Sequence, residues 1–127
     1  MPVTTTLPDF NDHFISLQTA IDMTTLYRTY RETILATNYQ GSDILPLSET
    51  FSRGAIDALL ATEGCAGLRI YNGMEENKKV HAILVPVNAD GEDILPTSSL
   101  TETDEPVIIE RSLRCPPSCP PPSDLNT

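Results

Sequence analysis

The feature that most constrains the fold is the last segment of the chain, Cys115–Thr127, in which five of thirteen residues are proline. Proline fixes φ and removes a backbone donor, so this segment cannot be helical and is predicted to be extended or polyproline II. Residues 1–12 hold Pro2, Pro8 and a threonine run with no apolar period, which predicts an extended arm. Regular structure is therefore expected in a single domain over residues 13–114.

Length and charge narrow the class of protein. A chain of 127 residues can form one domain with its own core, although 39% apolar residues and no tryptophan predict a modest one. Eighteen acidic against eight basic side chains give a net charge of -10, which repels phosphate backbones and disfavours nucleic acid as a partner. No apolar run approaches the ~20 residues that span a bilayer, and the N-terminus lacks the pattern of a secretory signal. We expect no membrane insertion and a cytoplasmic location.

The first helix signal is Ser16, a residue type favoured at N-caps. Apolar residues then recur at spacings of three and four, which predicts a helix near 16–36. The opposite side is polar, so we expect the apolar stripe to face inward. This predicted stripe consists of Ala20, Met23, Tyr27, Tyr30 and Ile34.

A second helix is predicted near 52–63, after a polar, turn-rich loop over residues 36–50. Ser52 is a suitable N-cap, and Phe51 can close on Ile56 as a hydrophobic staple. Ile56, Leu59 and Leu60 form the predicted buried face, and Gly64 is placed to take a left-handed conformation after the helix.

Two strands are predicted over 65–74 and 79–87, with a later one near 106–110. The second strand is apolar on both faces, which is typical of a central strand. Together with the two helices, these elements predict an α+β fold: two helices packed on a small antiparallel β-sheet, with an extended N-terminal arm and a Pro-rich C-terminal tail.

The turn between the first two strands sets their register. If Met74 pairs with Lys78, a three-residue loop ends at Asn77, which tolerates the positive φ of that position. In that register one face of the sheet carries Leu68, Ile70, Ala82 and Leu84, and the other carries Arg69, Tyr71, His81 and Ile83.

Catalytic and metal-binding patterns are absent from the sequence. The only histidines are His13 and His81, and no motif pairs either with a nucleophile. No glycine pattern indicates a phosphate cradle. Cys65, His81, Cys115 and Cys119 are the right residue types for zinc, but Cys65 and His81 would lie about 20 Å apart along the sheet. We therefore expect no enzyme, no catalytic residue, no cofactor and no bound metal.

The tail is predicted to be a contact element. Its prolines restrict the chain before docking, so such a segment loses little entropy when it binds along a groove. A protein partner or homo-oligomer is therefore expected, and the function predicted is non-enzymatic interaction or self-assembly. The residues predicted to make this contact are Cys115, Pro116, Pro117, Cys119, Pro120, Pro121, Pro122 and Leu125.

Several alternatives stay open at this point. The tail could pack on its own domain, and Cys115 and Cys119 could be bridged or free. A small redox or metal-binding protein would use these two cysteines. A small-ligand-binding adaptor would use the sheet face near Arg69, Tyr71 and His81.

Parts of the chain resemble short uncharacterised bacterial proteins. They are Phe51-Ser52-Arg53-Gly54-Ala55-Ile56, Gly64-Cys65, Arg69-Ile70-Tyr71 and the ending Cys-Pro-Pro-x-Cys-Pro-Pro-Pro-Ser-x-Leu-Asn. The resemblance covers roughly the last two-thirds of the chain and implies no particular activity, ligand or site residue.

Overall fold

The computed structural model describes residues 7–96 and 108–127. Two α-helices, α1 (Leu17–Tyr30) and α2 (Arg53–Leu60), accompany four strands: β1 (Ser48–Thr50), β2 (Gly67–Met74), β3 (Val80–Val87) and β4 (Leu113–Cys115). Short 3₁₀ helices occupy Phe10–His13 and Thr37–Tyr39. The strands form two small sheets, β1 with β4 and β2 with β3. The predicted α+β class is confirmed.

The chain divides into two compact units. Among the described residues, the α2 unit comprises 7–9, 51–73, 82–96 and 108–112, and the α1 unit comprises Phe10–Thr50, Met74–His81 and Leu113–Thr127. The domain boundaries predicted after residues 12 and 114 stay predictions.

The predicted extended arm differs from the structure where it can be compared. Residues 1–6 lie outside the described residues, and Phe10–His13 form a 3₁₀ helix rather than extended chain. The helix brings Phe10 and Phe14 into an edge-to-face pair with ring centroids 6.2 Å apart, a favourable arrangement for two aromatic rings.

The core of the α2 unit forms around Leu59, which is completely buried against Leu84 and Ile109. The hydroxyl of Ser52 accepts a hydrogen bond from the backbone N–H of Ala55, as predicted for its N-cap. The helix ends at Leu60, three residues before the predicted end, and Leu60 is 45% exposed rather than buried as predicted. The half-buried residues around this core are Phe51, Ala55, Ile56 and Ala82.

Strand β3 has neighbours on both sides, as predicted. It pairs with β2, and its Leu84 exchanges two backbone hydrogen bonds with Ile109 at 2.7 and 2.9 Å. The later strand predicted near 106–110 is, over its described residues 108–110, a single bridge at Ile109; residues 106 and 107 lie outside the described residues.

The apolar side chains of β2 are exposed. Leu68 is 36% and Ile70 is 60% exposed. Between them, Arg69 donates to Asp93 and to the carbonyl oxygen of Gly91. Side chains alternate along a strand, so the side of β2 that folds against this turn carries Arg69, and the two apolar side chains point away.

The β2–β3 turn is displaced by one residue from the prediction. The N–H of Glu75 donates to the carbonyl of Lys79, and that of Lys78 donates to the carbonyl of Glu75. Lys78 therefore takes the positive φ, at 74°, rather than Asn77. The reason is local: the Asn77 side-chain oxygen accepts the N–H of Lys79 at 3.0 Å, which commits Asn77 to another conformation.

The α1 unit contains a sheet that the sequence did not predict. Residues 36–50 were expected to be loop, yet β1 pairs antiparallel with β4, and Ser48 lies opposite Cys115. Arg114 is buried beside this sheet and donates to the carbonyl oxygens of Asp43, Ile44 and Val80. These bonds tie the 43–44 loop and the β3 start to the strand that leads into the tail.

Candidate interaction surface

Polar side chains hold the inner side of α1. The Ser16 hydroxyl caps the helix by accepting the N–H of Thr19, as predicted. Tyr27 donates its hydroxyl to the carbonyl of Pro46 at 2.6 Å, and Arg31 donates through Nε to the carbonyl of Leu45 at 2.5 Å. Burial raises the pKa of the Tyr27 hydroxyl above its ordinary value. The inner side of α1 is thus anchored by bonds to the loop before β1.

The apolar stripe predicted to face inward is only partly inward. Ala20 and Tyr27 are half-buried, but Met23 is 62%, Tyr30 is 53% and Ile34 is 69% exposed. The helix is turned so that Tyr27 and Arg31 reach backbone carbonyls, and this rotation moves the other three outward. The predicted inward orientation is therefore wrong for Met23, Tyr30 and Ile34.

The outward side chains gain a fourth member, Leu26, which is 61% exposed and was missed from the sequence. We call Met23, Leu26, Tyr30 and Ile34 the outer stripe. Their spacing could have indicated it, because a helix with apolar residues on more than one side cannot bury all of them against one neighbour.

The segment that precedes α1 is also apolar and exposed. Phe10 is 71% and Phe14 is 73% exposed, and Ile15 and Leu17 are each 61% exposed. Residues 10–34 thus concentrate eight large apolar side chains, each more than half exposed. Single exposed apolar side chains are normal on a protein surface, but eight of them in this one segment indicate a binding surface.

A disulfide joins Cys115, the buried last residue of β4, to the exposed Cys119. The alternatives of free or metal-bound thiols at this pair are thereby resolved in favour of a bridge. The N–H of Ser118 also donates to the carbonyl of Arg114. The beginning of the tail is therefore tied to β4 at two points.

The end of the tail folds into a turn against α1. The N–H of Ser123 donates to the Asn126 side-chain oxygen at 2.8 Å. The guanidinium of Arg28 donates to the carbonyl oxygens of Leu125, at 2.6 Å, and Thr127, at 3.0 Å. The tail thus packs on its own unit, while Pro117, Cys119, Leu125 and Pro120 to Pro122 stay exposed.

A cleft of about 640 Å³ lies between the tail and α1. It is lined by Tyr27 and Arg28 of α1, by Leu47 and Ser48, and by the tail prolines Pro120 to Pro122. The volume falls in the range of small-molecule sites. The Ser48 hydroxyl oxygen is inaccessible to solvent and has no hydrogen-bond partner among the described residues, so it offers a bound molecule no contact in this conformation.

The face proposed for a small ligand is occupied by the chain's own groups. Asp93 accepts hydrogen bonds from the Tyr71 hydroxyl and from Arg69. The Tyr71 bond, followed by Arg69, lowers the Asp93 pKa, and the bond to Asp93 raises the Tyr71 pKa. His81, in the other unit, contacts the Glu75 carboxylate. These charged groups already have partners within the protein.

Within residues 7–96 and 108–127, no group of three or more His, Cys, Asp or Glu side chains is placed to hold a metal ion. Neither described α-helix is long and apolar enough to cross a bilayer. His13 lies exposed in the first 3₁₀ helix.

Comparison with models of protein families, with curated proteins and with solved structures finds no match for this chain.

Proposed function

We propose that this chain is a non-enzymatic self-assembly protein whose contact surface is the outer stripe of α1 and the apolar segment before it. The observation that carries the proposal is the exposure of eight large apolar side chains within residues 10–34. Exposing them to water is unfavourable, and a neighbouring protein surface would relieve that cost.

The tail supports this surface from the inner side of α1. Arg28 connects the helix to the carbonyl oxygens of Leu125 and Thr127, and the disulfide holds the tail to β4. A preordered surface loses less entropy on binding. Of the tail residues predicted to make the contact, Cys115 is buried and Pro116 is half-buried. The exposed ones extend the proposed contact: Pro117, Cys119, Pro120, Pro121, Pro122 and Leu125.

Sedimentation velocity of the full chain over a wide concentration range tests the proposal. The wild type should associate as concentration rises, and Leu26→Asp should weaken association at least about tenfold, since a desolvated charge costs several kcal/mol. Leu60→Asp is the matched control, because Leu60 is a helical leucine that is 45% exposed outside the stripe. Equal effects of the two substitutions would contradict the assignment of the surface.

Deletion of residues 120–127 tests the tail separately and keeps both cysteines. It removes the acceptors of Arg28 and the tail prolines that line the cleft, so we expect weaker association than for the wild type. Association unchanged by the deletion, together with a lower melting temperature, would assign the tail to self-packing alone.

The cleft favours a second candidate function, the binding of a small apolar molecule between Tyr27 and the tail prolines. A neutral hydrophobic dye such as Nile red should then bind the full chain with a defined stoichiometry. The chain that lacks residues 120–127 should lose that binding, whereas Leu26→Asp should keep it. Dye binding that survives the deletion would remove this candidate.

A further inference from the structure

We propose that the partner of the outer stripe is the same stripe on a second copy of this chain, with the two α1 helices packed antiparallel so that Leu26 of each copy faces Tyr30 of the other. The inference rests on the proposed function and specifies its partner and geometry.

The outer stripe is a continuous helical surface. At about 100° per residue, Met23, Leu26, Tyr30 and Ile34 fall within ~80° of arc. Although α1 ends at Tyr30, the N–H of Ile34 donates to the carbonyl of Tyr30 at 3.2 Å, so Ile34 continues the helical spacing. A stripe of this width suits packing against one other helix.

The exposed area suits a reversible dimer. The four side chains of the stripe are each 53–69% exposed. A standard interface takes about 800 Å² from each partner, and smaller ones belong to transient complexes. The stripe supplies part of that area, and the threonines that flank it, Thr19 and Thr33, add to it.

Charge favours a second copy over a basic partner. The chain carries a net charge of -10, yet residues 10–34 contain three acidic and two basic side chains, a net of -1. The stripe itself has no charged member. A basic partner would be attracted elsewhere, whereas two copies that repel each other overall meet with least repulsion where the surface is nearly neutral.

Charge and dipoles also select the antiparallel direction. A parallel pair would place Asp22 of one copy beside Asp22 of the other. An antiparallel pair separates the two Asp22 side chains to opposite ends of the contact. Antiparallel helices also oppose their macrodipoles. In this arrangement Leu26 faces Tyr30 of the second copy, and Met23 faces its Ile34.

Complementary charges on the full chain test this geometry. Leu26→Asp and Tyr30→Lys should each associate weakly alone. Mixed one to one, they form a pair with one Asp–Lys contact and one native Leu–Tyr contact, so association should recover by about tenfold over either variant. The matched mixture, Leu26→Asp with Leu26→Lys, creates the Asp–Lys contact only in a parallel pair and should not recover. Circular dichroism verifies that each variant is folded.

The possible outcomes distinguish the antiparallel geometry from self-assembly as such. Recovery of the Leu26→Asp and Tyr30→Lys mixture alone supports the antiparallel pair. Recovery of the Leu26→Asp and Leu26→Lys mixture alone, or of neither mixture while the wild type associates, overturns the inference and leaves self-assembly standing. A wild type that stays monomeric at all concentrations overturns both.

Discussion

Replacing Leu59 by alanine should destabilise the α2 unit strongly, because Leu59 is 0% exposed and packs against Leu84 and Ile109. Burying a leucine contributes free energy of transfer, and its truncation also leaves a cavity, so large-to-small changes of this kind cost 2–5 kcal/mol. Because Leu59 is completely buried in a small cluster, we expect its truncation to lower the free energy of unfolding by about 3 kcal/mol. Leu60→Ala, in the next position of the same helix and 45% exposed, should cost less than about 1 kcal/mol.

Urea denaturation followed by far-ultraviolet circular dichroism measures both variants against the wild type. With a slope of about 1.5 kcal/mol per molar urea, the Leu59→Ala midpoint should fall by about 2 M. The slope itself should stay unchanged, so that the midpoint reports stability. Similar losses for the two leucines, or a Leu59→Ala loss below about 1 kcal/mol, would refute the core described for the α2 unit.

Three further predictions concern titration and the tail. Hydrogen bonds from Tyr71 and then Arg69 lower the pKa of Asp93. The stability that ionised Asp93 contributes is therefore present above the ordinary aspartate pKa of about 3.9 and is lost as pH falls through the lowered pKa. In Asp93→Asn, the urea midpoint should fall less steeply with decreasing pH in the acid range than it does in the wild type. Burial raises the pKa of Tyr27, so the stability that its neutral hydroxyl contributes is present below about pH 10 and is lost as pH rises through the raised pKa. Tyr27→Phe should remove the last step from the alkaline titration of tyrosinate absorbance. Retention of that step in the variant would assign it to another tyrosine. Cys119→Ser removes the disulfide that closes a loop of five residues, which should lower the free energy of unfolding by about 2 kcal/mol in the chain-entropy treatment. A reductant should then lower the stability of the variant no further. A reductant effect as large as in the wild type would show that the reductant does not act through this bridge.

Local signals in the sequence predicted local structure well. Ser16 and Ser52 cap their helices through the expected N–H groups, because an N-cap bond depends on residues within three positions. The central residues of both helices and of strands β2 and β3 were predicted from apolar periodicity, which is also a local signal. The predicted hairpin turn was wrong by one residue. Lys78 rather than Asn77 takes the positive φ, and the Asn77 side chain accepts a hydrogen bond from the N–H of Lys79.

Features that depend on distant residues were not predictable from one sequence. Strands β1 and β4 have three residues each and lie more than sixty residues apart, so neither has a period that stands out. An arginine such as Arg114 is usually expected at the surface. In the structure Arg114 is buried and donates hydrogen bonds to three carbonyl oxygens. The orientation of α1 was wrong for Met23 and Tyr30 because polar anchors on its inner side, rather than apolar content, fix the rotation.

Nuclear magnetic resonance of the isotope-labelled full chain across a dilution series shows both whether copies associate and which residues form the contact. We predict concentration-dependent amide shifts that cluster on residues 23–34 and the preceding Phe10 and Phe14, with the α2 unit around Leu59 unchanged. Spectra that are identical at every concentration, or shifts that cluster away from α1, would contradict self-assembly through the outer stripe.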